Sequence, residues 1–179
     1  MQQQNRQQVT YMSALPQAEA SPLPTPTMPK QIEPSITSAL EVDTEHHLIA
    51  IEPEELGQVW DLIEPFMFDV INGCNGRHTM ESLISEITNR ELALWAVVGA
   101  SGLRALVGTQ ILVASSGLRS LTIRFTVGKG LHAWIGLLDD LEDYARSQGC
   151  TRVQTYSRKG WAKHMPDYKL THILLEKDL

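Results

Sequence analysis

Several features that would assign a function outright are missing from this sequence. Its two cysteines, Cys74 and Cys150, are far apart and belong to no C-x-x-C pair, so neither a disulfide framework nor a zinc site is indicated. No apolar run approaches the roughly 18 residues that a transmembrane helix needs. The first eight residues lack the basic and then apolar segments of a signal peptide. These absences predict a protein of a reducing compartment, neither membrane-spanning nor secreted by that route.

An excess of positive charge is also missing. The chain has 15 Lys and Arg against 21 Asp and Glu, and its net charge of −6 argues against a broad basic face that binds nucleic acid. We interpret the basic group of Arg158, Lys159 and Lys163 as a solvated helix start, with a nucleic-acid contact as the alternative. The six histidines show no metal-ligand spacing, so no metal site is predicted.

The residues that are present divide the chain into two parts. Residues 1–46 open with glutamines, contain six prolines and have neither tryptophan nor phenylalanine. Such a segment cannot bury enough apolar surface to offset its ordering entropy, which predicts an extended, proline-rich N-terminal arm. We expect this arm to bind other protein chains of an assembly; the alternative is that it packs against its own domain. Residues 47–179 are predicted to form that domain.

The domain shows strand and helix patterns in the order β-α-α-β-β-β-α-β-α-β. Its first long helix is expected to be interrupted or kinked at Pro65. Near the end of the chain, residues 159–165 read as a short helix and residues 170–175 as a last strand. A helical crossover joins the strands near residues 121 and 151, so these two are predicted to be parallel.

The centre of the domain is the stretch from residue 118 to residue 149. Its first part alternates as a strand does, which predicts that Leu121, Ile123, Phe125 and Val127 share one face. An amphipathic helix pattern follows. Gly128-Lys129-Gly130 lies between strand and helix, a geometry that leaves backbone N–H groups free to bind a phosphate. A purely structural turn is the alternative.

The order of elements over residues 47–179 resembles the GNAT family, the acetyl-CoA-dependent N-acetyltransferases, and in particular small GNAT-like proteins of tailed phages, such as those similar to internal virion protein A. The resemblance is carried by residues 49–56, 94–98 with 106–109, 137–149, and 157–163 with 174–177. It implies an α/β (α+β) fold with a GNAT-like mixed central sheet flanked by helices. It also implies that coenzyme A binds where two parallel strands splay, with its pyrophosphate on Val127, Gly128, Lys129, Gly130, Leu131 and His132.

The sequence departs from the family pattern at the residues that bind the cofactor and carry out catalysis. The arginine or glutamine that leads the family's loop motif is absent, and the strand before the loop carries no carboxylate to act as a base. The position of the family's tyrosine falls near Lys163, which leaves His164 as the candidate catalytic acid or base. We therefore interpret the chain as a non-catalytic structural protein without a cofactor, made in the host cytoplasm and held in a phage particle by its arm. The alternative is an active N-acetyltransferase that uses acetyl-CoA.

Overall fold

The domain is built on a mixed sheet. The structure is a computed structural model that describes residues 46–157, 159–172 and 177. Its five strands are β1 (His47–Ile51), β2 (Ala93–Gly99), β3 (Gly102–Val113), β4 (Arg119–Gly128) and β5 (Arg152–Thr155), and they lie side by side in that order. The first four pair antiparallel, whereas β5 runs parallel to β4. The parallel pair predicted from the helical crossover is therefore confirmed.

Helices cover both faces of this sheet. They are α1 (Leu56–Gly73), α2 (Met80–Thr88), α3 (Leu131–Trp134) and α4 (Leu138–Ser147), with single turns of 3-10 helix at Pro53–Glu55 and Ile135–Leu137 and a longer 3-10 segment at Lys159–His164. One apolar core lies between the sheet and α1 and α2, and a second lies between the sheet and α3 and α4. The GNAT-like α/β arrangement expected from the sequence is the arrangement of the structure.

Pro65 does not interrupt the first helix, because α1 runs through it from Leu56 to Gly73. Of the two expected effects, the interruption is wrong and the kink stays a prediction. A proline inside a helix removes one backbone hydrogen bond, the one to the carbonyl four residues earlier. Pro65 and Asp61, the residue that would have supplied that carbonyl, both lie on the exposed side of α1. Water can therefore satisfy the freed carbonyl group, which lowers the cost of continuing the helix.

The strand β4 does not keep one apolar face along its length, which corrects the alternation predicted from sequence. Its register against β3 shifts at Gly108 and Thr109, which oppose Phe125 and Ile123, so Arg124 is an extra residue in a β-bulge. Ile123 packs on the side of α4, whereas Phe125 packs on the side of α1 and α2. Gly108 makes this possible, because a Cβ there would lie 2.4 Å from the ring of Phe125.

Other predictions fall partly outside the described residues. Residues 1–45, Arg158, residues 173–176 and residues 178–179 lie outside them, so the arm, its domain boundary and most of the last strand stay predictions. Of that strand, residues 170–172 are described and are not in a strand. The short helix predicted at 159–165 is a 3-10 segment. No helix within the described residues is long and apolar enough to cross a membrane.

Candidate functional site

Pairing between the two parallel strands stops part-way along β4, where β5 ends. They pair over four positions, from Ser120 with Arg152 to Ile123 with Thr155. Beyond Ile123, β4 continues to Gly128 paired with β3. Within the described residues, the five-residue segment from Arg124 to Gly128 thus has no strand partner on its β5 side, over roughly 16 Å. Such an open strand edge is suited to an extended ligand that carries amide groups of its own.

Arg124 occupies the bulge where this open edge begins, and its side chain is held by three others. Its guanidinium donates to Gln110 Oε1 at 2.7 Å and to Glu86 Oε2 at 3.3 Å, and a third N–H lies 3.1 Å from His78 Nε2. Only 21% of the Arg124 side chain is exposed. These contacts fix the start of the open edge against α2 and β3.

The Arg124 cluster also determines what His78 can do. A ring nitrogen that accepts a hydrogen bond from Arg124 carries no proton, so the neutral imidazole holds its proton on Nδ1, 4.0 Å from Glu86 Oε1. Arg124 therefore occupies one ring nitrogen of His78, and Glu86 lies near the other beyond hydrogen-bond distance. Sequence reasoning missed this cluster, because its members are separated by up to 46 residues and share no motif.

The first glycine of the loop after β4 has a structural role. Gly128 adopts a φ of +138°, and a Cβ there would lie 2.4 Å from the carbonyl oxygen of Arg104. The next residue, Lys129, donates its backbone N–H to the same carbonyl at 3.1 Å. Gly128 is thus required by the close approach of the chain to β3, and the loop is fixed there.

The second glycine faces open space. Gly130 has a φ of +71°, and nothing lies within 4 Å of a Cβ built on it. Its carbonyl accepts from Ala133 N at 2.8 Å, while Trp134 Nε1 donates to the Lys129 carbonyl at 3.1 Å and closes the loop. The backbone N–H groups of the loop from Gly130 to His132 have no acceptor among the described residues. They are therefore available to an anion.

The predicted phosphate-binding residues differ in which of their groups an anion could contact. The backbone of Gly130 and Leu131 forms the start of α3, and the side chain of Lys129 is exposed beside it. Val127 is half-buried and packs toward α1 and α2, so it contributes backbone alone. The sequence located this loop from the order of strand, glycines and helix, and the structure brings its residues together.

His164, the candidate acid or base, lies against His132, whose backbone belongs to the same loop. The two rings meet edge to face with centroids 4.4 Å apart. Partial removal from water, together with the nearby His132 and Lys163, lowers the pKa of His164 below 6.5. The lower pKa favours the neutral imidazole, the form that can accept a proton. No hydrogen bond to its ring nitrogens occurs among the described residues.

The hydroxyl of Tyr168, which lies close in sequence to His164, already has a hydrogen-bond partner. Tyr168 donates its hydroxyl to Glu142 Oε1 at 3.1 Å. Burial, and then the charge and hydrogen bond of Glu142, raise the pKa of Tyr168 well above its usual value. Tyr168 thus ties the C-terminal segment to α4 and is a structural contact.

Solved structures share this arrangement. An aminoglycoside acetyltransferase from an uncultured soil metagenomic sample superposes with a TM-score of 0.58 at 12% identity, covering 78% of this chain and 99% of its own. The ribosomal-protein-alanine N-acetyltransferase of Brucella melitensis biovar Abortus 2308 gives 0.53 at 11% identity, over 74% and 99%. A second soil aminoglycoside acetyltransferase gives 0.54 at 10% identity, over 75% and 97%.

The domain has the GNAT fold. No protein-family model matches the sequence, and no curated protein matches it, so the likeness is one of structure. The neighbours correct the functional interpretation drawn from sequence. The interpretation as a non-catalytic component of a phage particle is wrong, because aminoglycoside and ribosomal-protein acetyltransferases are the structural neighbours. The enzymatic alternative fits them better, and the resemblance to phage proteins gains no support from them.

Proposed function

We propose that this chain is an acetyl-CoA-dependent N-acetyltransferase. The observation that carries the proposal is the unpaired edge of β4 that runs from the Arg124 bulge to the glycine loop, beyond the end of β5. We call this edge together with the loop the cleft. The acetyltransferase neighbours, at 10–12% identity, support the fold of the domain. The geometry of the cleft supports the activity.

The residues of the cleft fit the chemistry of coenzyme A. A diphosphate needs unpaired N–H donors and positive charge, and the loop offers the backbone N–H groups of Gly130, Leu131 and His132 beside the exposed ammonium of Lys129. The amide-containing arm of the cofactor needs backbone partners, and the open edge from Arg124 to Gly128 offers them. When bound, acetyl-CoA supplies an acetyl group activated as a thioester.

The reaction also requires the acceptor amine to lose a proton. We assign this step to His164, because it lies against His132 of the loop and its lowered pKa favours the neutral imidazole. Its ring nitrogens have no competing hydrogen bond among the described residues. His78 is less suited, since Arg124 already engages its Nε2. Arg124 acts as a positioning residue that fixes the start of the open edge. A His164→Gln variant is expected to lower turnover more than tenfold with little change in acetyl-CoA binding.

The acceptor class is proposed from charge. A net charge of −6 attracts cationic molecules, so we propose a cationic amine as the acceptor. Two structural neighbours are aminoglycoside acetyltransferases, and aminoglycosides are cationic amines. An aminoglycoside is therefore the first acceptor to test, and a peptide with an N-terminal alanine, suggested by the Brucella neighbour, is the second.

The experiment is a titration of acetyl-CoA into the full chain and into two variants at one position. Gly130→Asn and Gly130→Asp both suit a left-handed residue in open space, and they differ by one negative charge. At about 5 Å and an effective dielectric constant of about 20, that charge repels each phosphate charge by roughly 3 kcal/mol before screening by salt. We expect Gly130→Asn to bind within threefold of the native chain and Gly130→Asp to bind at least tenfold more weakly. Equal binding by the two variants, or no binding by the native chain, would refute the proposal.

A further inference from the structure

A cavity lies at the end of the sheet that is remote from the glycine loop. Its volume is about 430 Å³, within the range of small-molecule sites. It is lined by the start of β4, the end of β3 and the segment that leads into β2. Arg119, in its wall, begins β4, and Gly128 ends that strand, so the cavity is roughly 30 Å from the loop. It is separate from the proposed acetyl-CoA cleft.

The charged residues in the cavity wall are Glu52, Arg90, Glu91 and Arg119, and the two guanidinium groups are paired differently. Arg90 is paired with Glu52 at 3.0 Å and with Glu54 at 2.7 Å. Arg119 has no carboxylate within ion-pair distance among the described residues. Its Nε is buried and has no hydrogen-bond partner there either. Arg119 lies beside Cys150, whose neutral thiol leaves the positive charge of the guanidinium uncompensated.

A second polar group lies in the same wall. Tyr144 is held edge to face against Trp95 with ring centroids 4.9 Å apart. Burial, with smaller contributions from Cys150 and Glu52, raises the pKa of Tyr144, so its hydroxyl keeps its proton. Much of the remaining lining is aliphatic: Ile51, Ile87, Leu92, Ile111, Val113 and Leu121.

We infer that this cavity binds a small organic acid, with its carboxylate on Arg119 and its apolar body against the aliphatic lining. A guanidinium is suited to this task, because its planar N–H groups match the two oxygens of a carboxylate. The negative charge of such a ligand would compensate the positive charge of Arg119. This inference does not depend on the proposed acetyltransferase activity.

The test is a calorimetric titration of octanoate into the full chain, with octan-1-ol as the uncharged analogue. We expect octanoate to bind at least tenfold more tightly than the alcohol. Arg119→Gln should bring the octanoate affinity to within threefold of the alcohol affinity. The matched control is Arg152→Gln, which removes an exposed guanidinium from β5 beside β4 and should leave the affinity unchanged.

A second variant tests the location of the site without changing a charge. Val113 lines the cavity and is 47% exposed, so Val113→Trp should fill its rim without disturbing the core. We expect this variant to lose octanoate binding while acetyl-CoA binds as in the native chain. The inference is overturned if octanoate does not bind at millimolar concentration, if acid and alcohol bind equally, or if Arg119→Gln or Val113→Trp retains the native octanoate affinity.

Discussion

The two glycines of the loop should respond differently to alanine. At Gly128, a φ of +138° is strained for any residue with a side chain, and a Cβ would lie 2.4 Å from the Arg104 carbonyl and 2.5 Å from Ala105. Backbone strain of about 1–2 kcal/mol and overpacking of about 1–3 kcal/mol together give a loss of about 2–5 kcal/mol in the free energy of unfolding for Gly128→Ala. At Gly130, where the space is open, the strain is partly offset by the reduced entropy of the unfolded chain, so Gly130→Ala should lose about 1 kcal/mol or less.

Urea unfolding of the full chain, followed by circular dichroism, measures both losses. Gly130→Asn serves as the control, because asparagine tolerates a left-handed conformation. The prediction is wrong if the free energy of unfolding falls equally at the two positions, or falls more at Gly130. Either would mean that the second glycine is packed, and the loop would then have no room for a phosphate.

Two further predictions concern contacts around the same site. Trp134→Phe removes the hydrogen bond from Trp134 Nε1 to the Lys129 carbonyl at 3.1 Å. The free energy of unfolding in urea should therefore fall by about 1 kcal/mol, and acetyl-CoA binding should weaken because the loop is less ordered. Unchanged binding would show that this hydrogen bond does not order the loop. Because folding raises the pKa of Tyr168 above 10, its contribution to stability is complete below about pH 10 and is lost as the pH rises further. The loss of stability between pH 9 and pH 11 in urea unfolding should therefore be smaller in Tyr168→Phe than in the native chain, and an identical loss would contradict the pKa shift.

Much of the fold could be predicted from sequence because its signals are local. Alternation and helical spacing located the elements from β1 to α4, and the crossover rule oriented β5. The side of the sheet on which each β4 residue lies could not be predicted from alternation, because a bulge depends on the partner strand. One local signal was present: Gly108, an isolated glycine inside the β3 pattern, is typical of a bulge or of a close approach of chains. Phe125 occupies the space beside it.

The candidate site could also be predicted only in part from sequence. The glycine loop could be found from sequence, since strand, glycines and helix are consecutive. The difference between Gly128 and Gly130 could not, because it depends on the distance to β3. The contacts of Arg124 with Glu86 and His78 could not be predicted from sequence either, because they join residues distant in sequence and use side chains that occur in many other roles.

The most direct test of the central claim is acetyl transfer itself. The measurement is the release of coenzyme A thiol from acetyl-CoA by the full chain, with and without an aminoglycoside or a peptide with an N-terminal alanine. We expect coenzyme A release that depends on the amine and is accompanied by an acetylated amine in mass spectrometry. This release should fall at least tenfold in Gly130→Asp relative to Gly130→Asn. Amine-dependent release that is the same in the two variants would contradict the proposed site, and acetyl-CoA binding without transfer to either amine would contradict the proposed acceptors and activity.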